Sequence, residues 1–158
     1  MIKKEMVSYC LDTLKKAGAD KAACSMNMME KKELNVEIGE MTLLRTTFNN
    51  NMGISVIKDQ KKGSTSINKT DKDSIDTAVA LVMDMAEGSQ PDDAYDIAEH
   101  QPSKSFSKGD ESANLDTMYQ SLEEFVDYVK STYPKIQLEA AIMEFQSFKI
   151  IFPEYQWG

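Results

Sequence analysis

The sequence predicts an α+β fold, an antiparallel β-meander packed by amphipathic helices and followed by a further helix and a β-hairpin. Three observations predict it. Apolar residues alternate through Leu34, Val36 and Ile38 and again through Met52, Ile54 and Val56, the period of half-buried strands. The spacing then becomes helical at Ile75, Val79, Val82, Met83 and Ala86. Such a helix must bury its apolar stripe, and the nearest large apolar surface is one face of the sheet formed just before it. Short polar loops between the strand-like runs favour antiparallel over parallel neighbours.

The elements follow in order. Residues 2–16 place Ile2, Met6, Val7, Cys10, Leu11 and Leu14 on one helical face, and Gly18 is a natural left-handed stop. Residues 22–29 can form a first strand whose buried face the pattern does not decide, and Glu30, Lys31 and Lys32 read as a turn. Residues 33–38 form a second strand, reversed at Gly39 and Glu40. Residues 41–48 follow with Thr42, Thr46 and Thr47, and the triple Asn49, Asn50, Asn51 reads as the next turn. Residues 52–58 and 64–68 are further strands joined by a loop over 59–63, giving four or five strands in all. Thr70 with Asp73 resembles a capping box, and Asp71, Asp73 and Asp76 put negative charge at the start of the helix that Gly88 ends.

Residues 89–114 shift to Ser, Pro, Asp, Gln, Lys and Gly and read as an exposed connector, with one helical turn allowed around 92–99. Asn114 caps a helix over 115–131, with Leu115, Met118, Tyr119, Leu122, Phe125, Val126 and Val129 at helical spacing and Pro134 closing it. Ile136, Leu138, Ala140 and Ile142 alternate, as do Phe148, Ile150 and Phe152, and residues 144–146 between them suggest a hairpin. The expected organisation is a core of 1–88, a connector of 89–114, and a helix with hairpin over 115–158 that belongs to the same N-terminal domain.

Composition narrows the function classes. The chain has 158 residues, enough for one domain with a real core, and a formal charge of −8. Its lysine pairs are scattered among acids and form no basic stripe, which argues against direct nucleic-acid binding. No apolar run approaches membrane-spanning length, and the start Met-Ile-Lys-Lys-Glu has no apolar run after its lysines, so the expected location is the cytoplasm, without membrane association. Cys10 and Cys24 lack metal-ligand spacing and read as reduced core thiols.

No residue group assembles a catalytic, cofactor or metal site. His100 is the only histidine and sits on the polar connector, whereas a zinc hydrolase needs several ligands. Asp71, Asp73 and Asp76 only faintly suggest a calcium loop, since Ile75 stands where a ligand is needed and no glycine follows. Ser64, Thr65 and Ser66 after Gly63 lack the Gly-Lys-Ser/Thr of a phosphate loop, and no nucleophile has a base beside it. The 11 methionines read as adaptable core filling rather than a peptide groove.

The order of certain motifs nevertheless resembles the N-terminal domain of the TldD/PmbA family. They are Ala17-Gly18-Ala19-Asp20-Lys21-Ala22, the strand over 34–38 with Gly39-Glu40, Gly53-Ile54-Ser55-Val56, Lys62-Gly63-Ser64-Thr65-Ser66-Ile67-Asn68, and the helix to Met85-Ala86. The likeness is closest over residues 15–87 and looser over 115–152. It rests on glycines and apolar residues, and Ile57-Lys58 stands where the family commonly has an arginine.

The resemblance implies a metallopeptidase-related protein, also labelled a modulator of DNA gyrase, that acts in peptide maturation. Members are much longer and pair around a peptide-admitting cavity. The zinc-bearing TldD-like subunit carries His-Glu-x-x-x-His, which PmbA-like partners lack. This chain has no His-Glu dipeptide, so zinc is implied only for catalytic relatives and no ligand passes to any residue here. The implied role is a non-catalytic region, closer to the PmbA-like branch, whose partner is a second family subunit or a second copy of itself. A stand-alone peptide- or protein-binding module is the alternative.

The family often follows a Phe-Pro pair with Asn-Ser/Thr-Asn-Gly, where this chain reads Phe152-Pro153-Glu154-Tyr155-Gln156-Trp157-Gly158. The codons GAA TAC CAA TGG, read without their first base, become AAT ACC AAT GGN, or Asn-Thr-Asn-Gly. The expectation is a single-nucleotide shift near Pro153 that truncates a longer protein, which resequencing checks.

Overall fold

The structure, a computed structural model, describes residues 2–97 and 104–152, with the side chains of Ile2 and Lys3 outside that description. His100 and the tail from Pro153 to Gly158 also lie outside it. The elements run α1 (Ile2–Lys16), β1 (Lys21–Glu37), β2 (Glu40–Lys58), β3 (Lys61–Ile67), α2 (Lys72–Gly88), α3 (Leu115–Thr132) and β4 (Ala140–Ile151). The sheet has four strands in the order β3-β2-β1-β4. The chain is α+β, an antiparallel meander packed by helices, as the periodicities imply.

Two tight turns build the meander. Ile38 and Gly39 have φ 53° and 77°, and Asp59 and Gln60 have φ 51° and 60°. Positive φ at both central residues matches the twist of the flanking strands, so each hairpin needs only two loop residues. Ile38 is therefore not the inward strand residue its spacing suggests, and it is 69% exposed. The first reversal falls at Ile38 and Gly39 rather than Gly39 and Glu40, and residues 61–63 already belong to β3.

Three other expected turns are strand interior. Residues 30–32 stay within β1, where Lys31 pairs with Glu33 and Glu144 and Lys32 pairs with Glu30, so their charges are met without leaving the ladder. Residues 49–51 stay within β2, none with positive φ, and the Asn51 Oδ1 accepts a hydrogen bond from Ser66 Oγ at 2.6 Å. Residues 144–146 stay within β4, so the expected hairpin is one long strand and residues 136–139 precede it. The inward residues there are Ala141, Met143 and Phe145, while Ile142 and Phe148 face outward.

The chain divides into two compact units, one of residues 1–28, 49–106 and 149–158, the other of residues 29–48 and 107–148. In the first, Val7, Cys10, Leu11 and Leu14 of α1 and Ile75, Val79, Val82 and Ala86 of α2 bury against Ala22, Cys24, Met26, Met52, Ile54 and Val56 of the sheet. The even-numbered residues of β1 are thus the buried ones, which settles the face the sequence left open.

Gly18, at φ 87°, ends α1 in a Schellman motif: its N–H and that of Ala19 reach back to Lys15 and Leu14 carbonyls. α2 is capped by Asp71, not by Thr70, because the Asp71 carboxylate accepts from Ser74 N at 3.0 Å. Gly63, opposite Val56 in the β2–β3 register, lets α2 lie directly on β3; an added Cβ would meet the Val82 carbonyl oxygen and lie 2.9 Å from Ala86 N. Residues 92–97 form a turn rather than a helix, with Asp92 N donating to the Gln60 carbonyl and Lys21 pairing with Asp96.

In the second unit, Met118, Leu122 and Val126 of α3 bury with Leu34 and Val36 of β1, flanked by Met41, Leu138, Met143 and Phe145. Asn114 caps α3 by accepting from Thr117 N at 3.1 Å. Tyr119, Phe125 and Tyr128 of the same helix remain substantially exposed.

Candidate functional site

Alternation on β1, β2 and β3 turns one set of residues toward α1 and α2 and the other set away from them. The second set is small and polar. In the first unit a trough of about 420 Å³ is lined by Ala23, Ser25, Gly53, Ser55, Ser64 and Ser66, together with Ile54 and Thr65. Register places Ser55 opposite Ser64 and Gly53 opposite Ser66, so the hydroxyls form a patch around a stretch of bare backbone. Gly53 has only Ser25 Oγ near the position of a Cβ, at 3.4 Å, which leaves that backbone approachable.

A second recess of about 560 Å³ lies at the start of α2, lined by Asn49, Asn50, Asn51, Ser66, Asn68, Lys69, Ser74 and Thr77. Its groups are hydroxyls and amides with one lysine. Both recesses can donate to and accept from a polar chain or its peptide groups. Neither contains a carboxylate, thiol or imidazole that could activate a hydroxyl.

The second unit carries an ionic cluster. Glu33 is 2% exposed, and its carboxylate is held by Lys31 at 2.6 Å and Arg45 at 2.7 Å, while Lys31 also reaches Glu144 at 3.1 Å. Hydrogen bonding from Lys31 first, and from Arg45 second, holds the Glu33 carboxyl below its usual pKa. The Lys31 ammonium is correspondingly held above its own, chiefly by Glu33 and then by Glu144. Both charges are neutralised within the cluster, which makes it a structural clamp joining β1, β2 and β4.

Asp71 is engaged as the α2 cap, and Asp76 accepts a hydrogen bond from the Tyr9 hydroxyl at 2.8 Å. Among the described residues no three His, Cys, Asp or Glu side chains are grouped to hold a metal ion. Residues 64–66 form part of β3 rather than a loop. Cys10 and Cys24 are buried thiols, and the Cys24 pKa is pushed up by its hydrogen bond with Cys10 and by burial. The serine trough was not anticipated, although Ser25, Gly53, Ser55, Ser64 and Ser66 all occupy the polar phase of their strands. That regularity was the signal.

Residues 28–86 match the family profile described as PmbA/TldA metallopeptidase domain 1. The fold agrees with TldE from Thermococcus kodakarensis at a TM-score of 0.67 and 14% identity, over 98% of this chain and 35% of that one. Residues 28–86 are thus similar to a PmbA/TldA first domain, and the chain has the fold of TldE. A proposed DNA gyrase modulator from Bacteroides thetaiotaomicron shares the fold at a TM-score of 0.66 and 15% identity, over 97% of this chain and 38% of that one. Another, from Thermotoga maritima, follows at 0.56 and 11%, over 97% and 37%. The chain thus spans little more than a third of the solved proteins it matches. No curated protein sequence matches it. Among the described residues, no helix is long and apolar enough to cross a membrane.

Proposed function

We propose that this chain is the non-catalytic N-terminal region of a TldD/PmbA-type peptidase subunit of the PmbA-like branch, acting in the cytoplasm. Its work is to form part of the wall of a peptide cavity and to contact a second subunit. The match of residues 28–86 to a metallopeptidase first domain carries this reading. The serine trough around Gly53 supports it, because hydroxyls flanking accessible backbone can hydrogen-bond an extended peptide whatever its side chains are.

A zinc site of the His-Glu-x-x-x-His kind does not fit these residues. The sequence has one histidine and no His-Glu pair, so peptide cleavage belongs to another segment or subunit. With a charge of −8 and no basic stripe, a direct role on DNA has no surface to support it.

The test mixes the chain with the His-Glu-x-x-x-His-bearing subunit of the same organism and follows sedimentation and cleavage of an unstructured peptide. The expected result is a complex, with zinc-dependent cleavage only when the second subunit is present. Peptide binding by the chain alone, with no association to that subunit, would make it a stand-alone binding module instead.

A further inference from the structure

Two thiols meet in the core of the first unit. Cys10 lies on the inward stripe of α1 and Cys24 on the helix-facing phase of β1, and they are 0% and 2% exposed. Only residues 17–20 separate α1 from β1. That turn is pinned by the N–H groups of Gly18 and Ala19, which reach back into α1, and by the bond from Asp20 N to the Ile57 carbonyl. From Lys16 back to Cys10 the helix rises about 9 Å, and from Lys21 on to Cys24 the strand advances about 10 Å. The reversal therefore sets both thiols at the same height above the turn, and a thiol hydrogen bond joins them. They are the only cysteines of the chain, so neither has a competing partner within it.

We propose that Cys10 and Cys24 are a redox staple, which a peroxide closes into a disulfide tying α1 to β1 and a dithiol opens again. Attack needs a thiolate, and Cys24 is held as the thiol by its hydrogen bond with Cys10 and by burial, so the reaction waits for α1 to lift from the sheet. One sulfur then attacks hydrogen peroxide, breaking the O–O bond, and becomes a sulfenic acid while its proton leaves with the other oxygen as water. The second sulfur displaces the sulfenic hydroxyl, which departs as a second water with the second thiol proton. Two thiols and one peroxide thus give one disulfide and two waters, the sulfurs oxidised and the peroxide oxygens reduced. Sulfurs in a disulfide lie about 2 Å apart, closer than hydrogen-bonded thiols, so closure draws α1 toward β1. It also closes a short loop in the unfolded chain, which favours the folded one. The redox state then sets how readily α1 leaves the sheet, and this is independent of the peptidase reading.

The test incubates the folded 158-residue chain overnight with hydrogen peroxide, then unfolds it in urea with iodoacetamide and reads the intact mass and a peptide map. The expected product has lost two hydrogens, takes up no iodoacetamide and yields a peptide linking Cys10 to Cys24, and dithiothreitol reverses all three. The thermal midpoint of the oxidised form should rise by about 5 °C or more. Cys10→Ala should remove both the link and the shift; if that variant does not fold, the wild-type result decides. Two alkylated thiols after oxidation would overturn the proposal. So would sulfinic acid without a link, disulfides between chains, or a linked form that melts no higher than the reduced one.

Discussion

Ile38 combines a branched Cβ with φ 53°, a conformation in which a β-branched side chain crowds its own backbone. Its side chain is mostly in water, so little burial offsets the strain. Ile38→Asn, which gives the Asn-Gly pair preferred in such turns, should stabilise the protein by about 1 kcal/mol, seen as a higher urea midpoint. Gly63 is the opposite case. Its strand conformation is ordinary, but the backbone of α2 occupies the space a side chain would need. Gly63→Ala should cost about 3 kcal/mol or more, because a helix backbone cannot yield as a side-chain tip can. Neither role was readable beforehand. Ile38 continued a clean alternation, and Gly63 looked like the end of a loop, since helix-to-strand distance leaves no mark in local sequence.

At the scale of elements, the Asn114 cap, the Gly18 stop and the helical stripes were legible, whereas the α2 cap and the strand ends were not. Asn114, Gly18 and the spacing of Met118, Leu122 and Val126 specify their helices through local chemistry. Asp71→Ala should loosen the start of α2 and cost about 1 kcal/mol, measurable by thermal melting, whereas Thr70→Ala should change little. β4 shows why strands were harder. Apolar residues occupy both its faces at Ala141, Ile142, Met143 and Phe145, so period-two alternation is satisfied in either phase. The inward phase is chosen by α3 and β1, which are remote in sequence. Likewise residues 30–32 look like a turn until Glu144, more than a hundred positions away, supplies a partner for Lys31. The serine trough was hidden for a related reason. Its four serines and Gly53 lie on three strands and gather only once register is known.

Across the whole molecule, charge and stability are linked by pH. Glu33, Asp71, Glu87 and Asp96 all have carboxyls held below their usual values, by Lys31, by the Ser74 backbone N–H, by Lys58 and by Lys21 respectively. A lowered folded-state pKa contributes stability above the unfolded value and loses it as pH falls through the folded one. Stability should therefore hold through neutral pH and drop below about 4.5, the ordinary glutamate value, as urea midpoints taken across an acid series would show. Lys31 and Lys58 act in the other direction. Their raised values stabilise fully below the ordinary lysine pKa of 10.5, and that support disappears as pH rises through the folded-state values. Glu33→Gln should flatten part of the acid slope, and with Lys31 and Arg45 left without their carboxylate it should lower stability at pH 7 as well.

The position of β4 beside β1 also sets an order of events in synthesis. β1, β2 and β3 are joined by two-residue turns and can pair as soon as they emerge, while the strand that completes the other side of β1 begins about a hundred residues after β1 ends. At roughly 5–20 residues per second, that flank of β1 stays unpaired for about 5–20 s on the ribosome. Through that interval Glu33 has Lys31 and Arg45, but Lys31 still lacks Glu144. The charged run at residues 30–32 then keeps a nascent hairpin soluble until its last strand arrives.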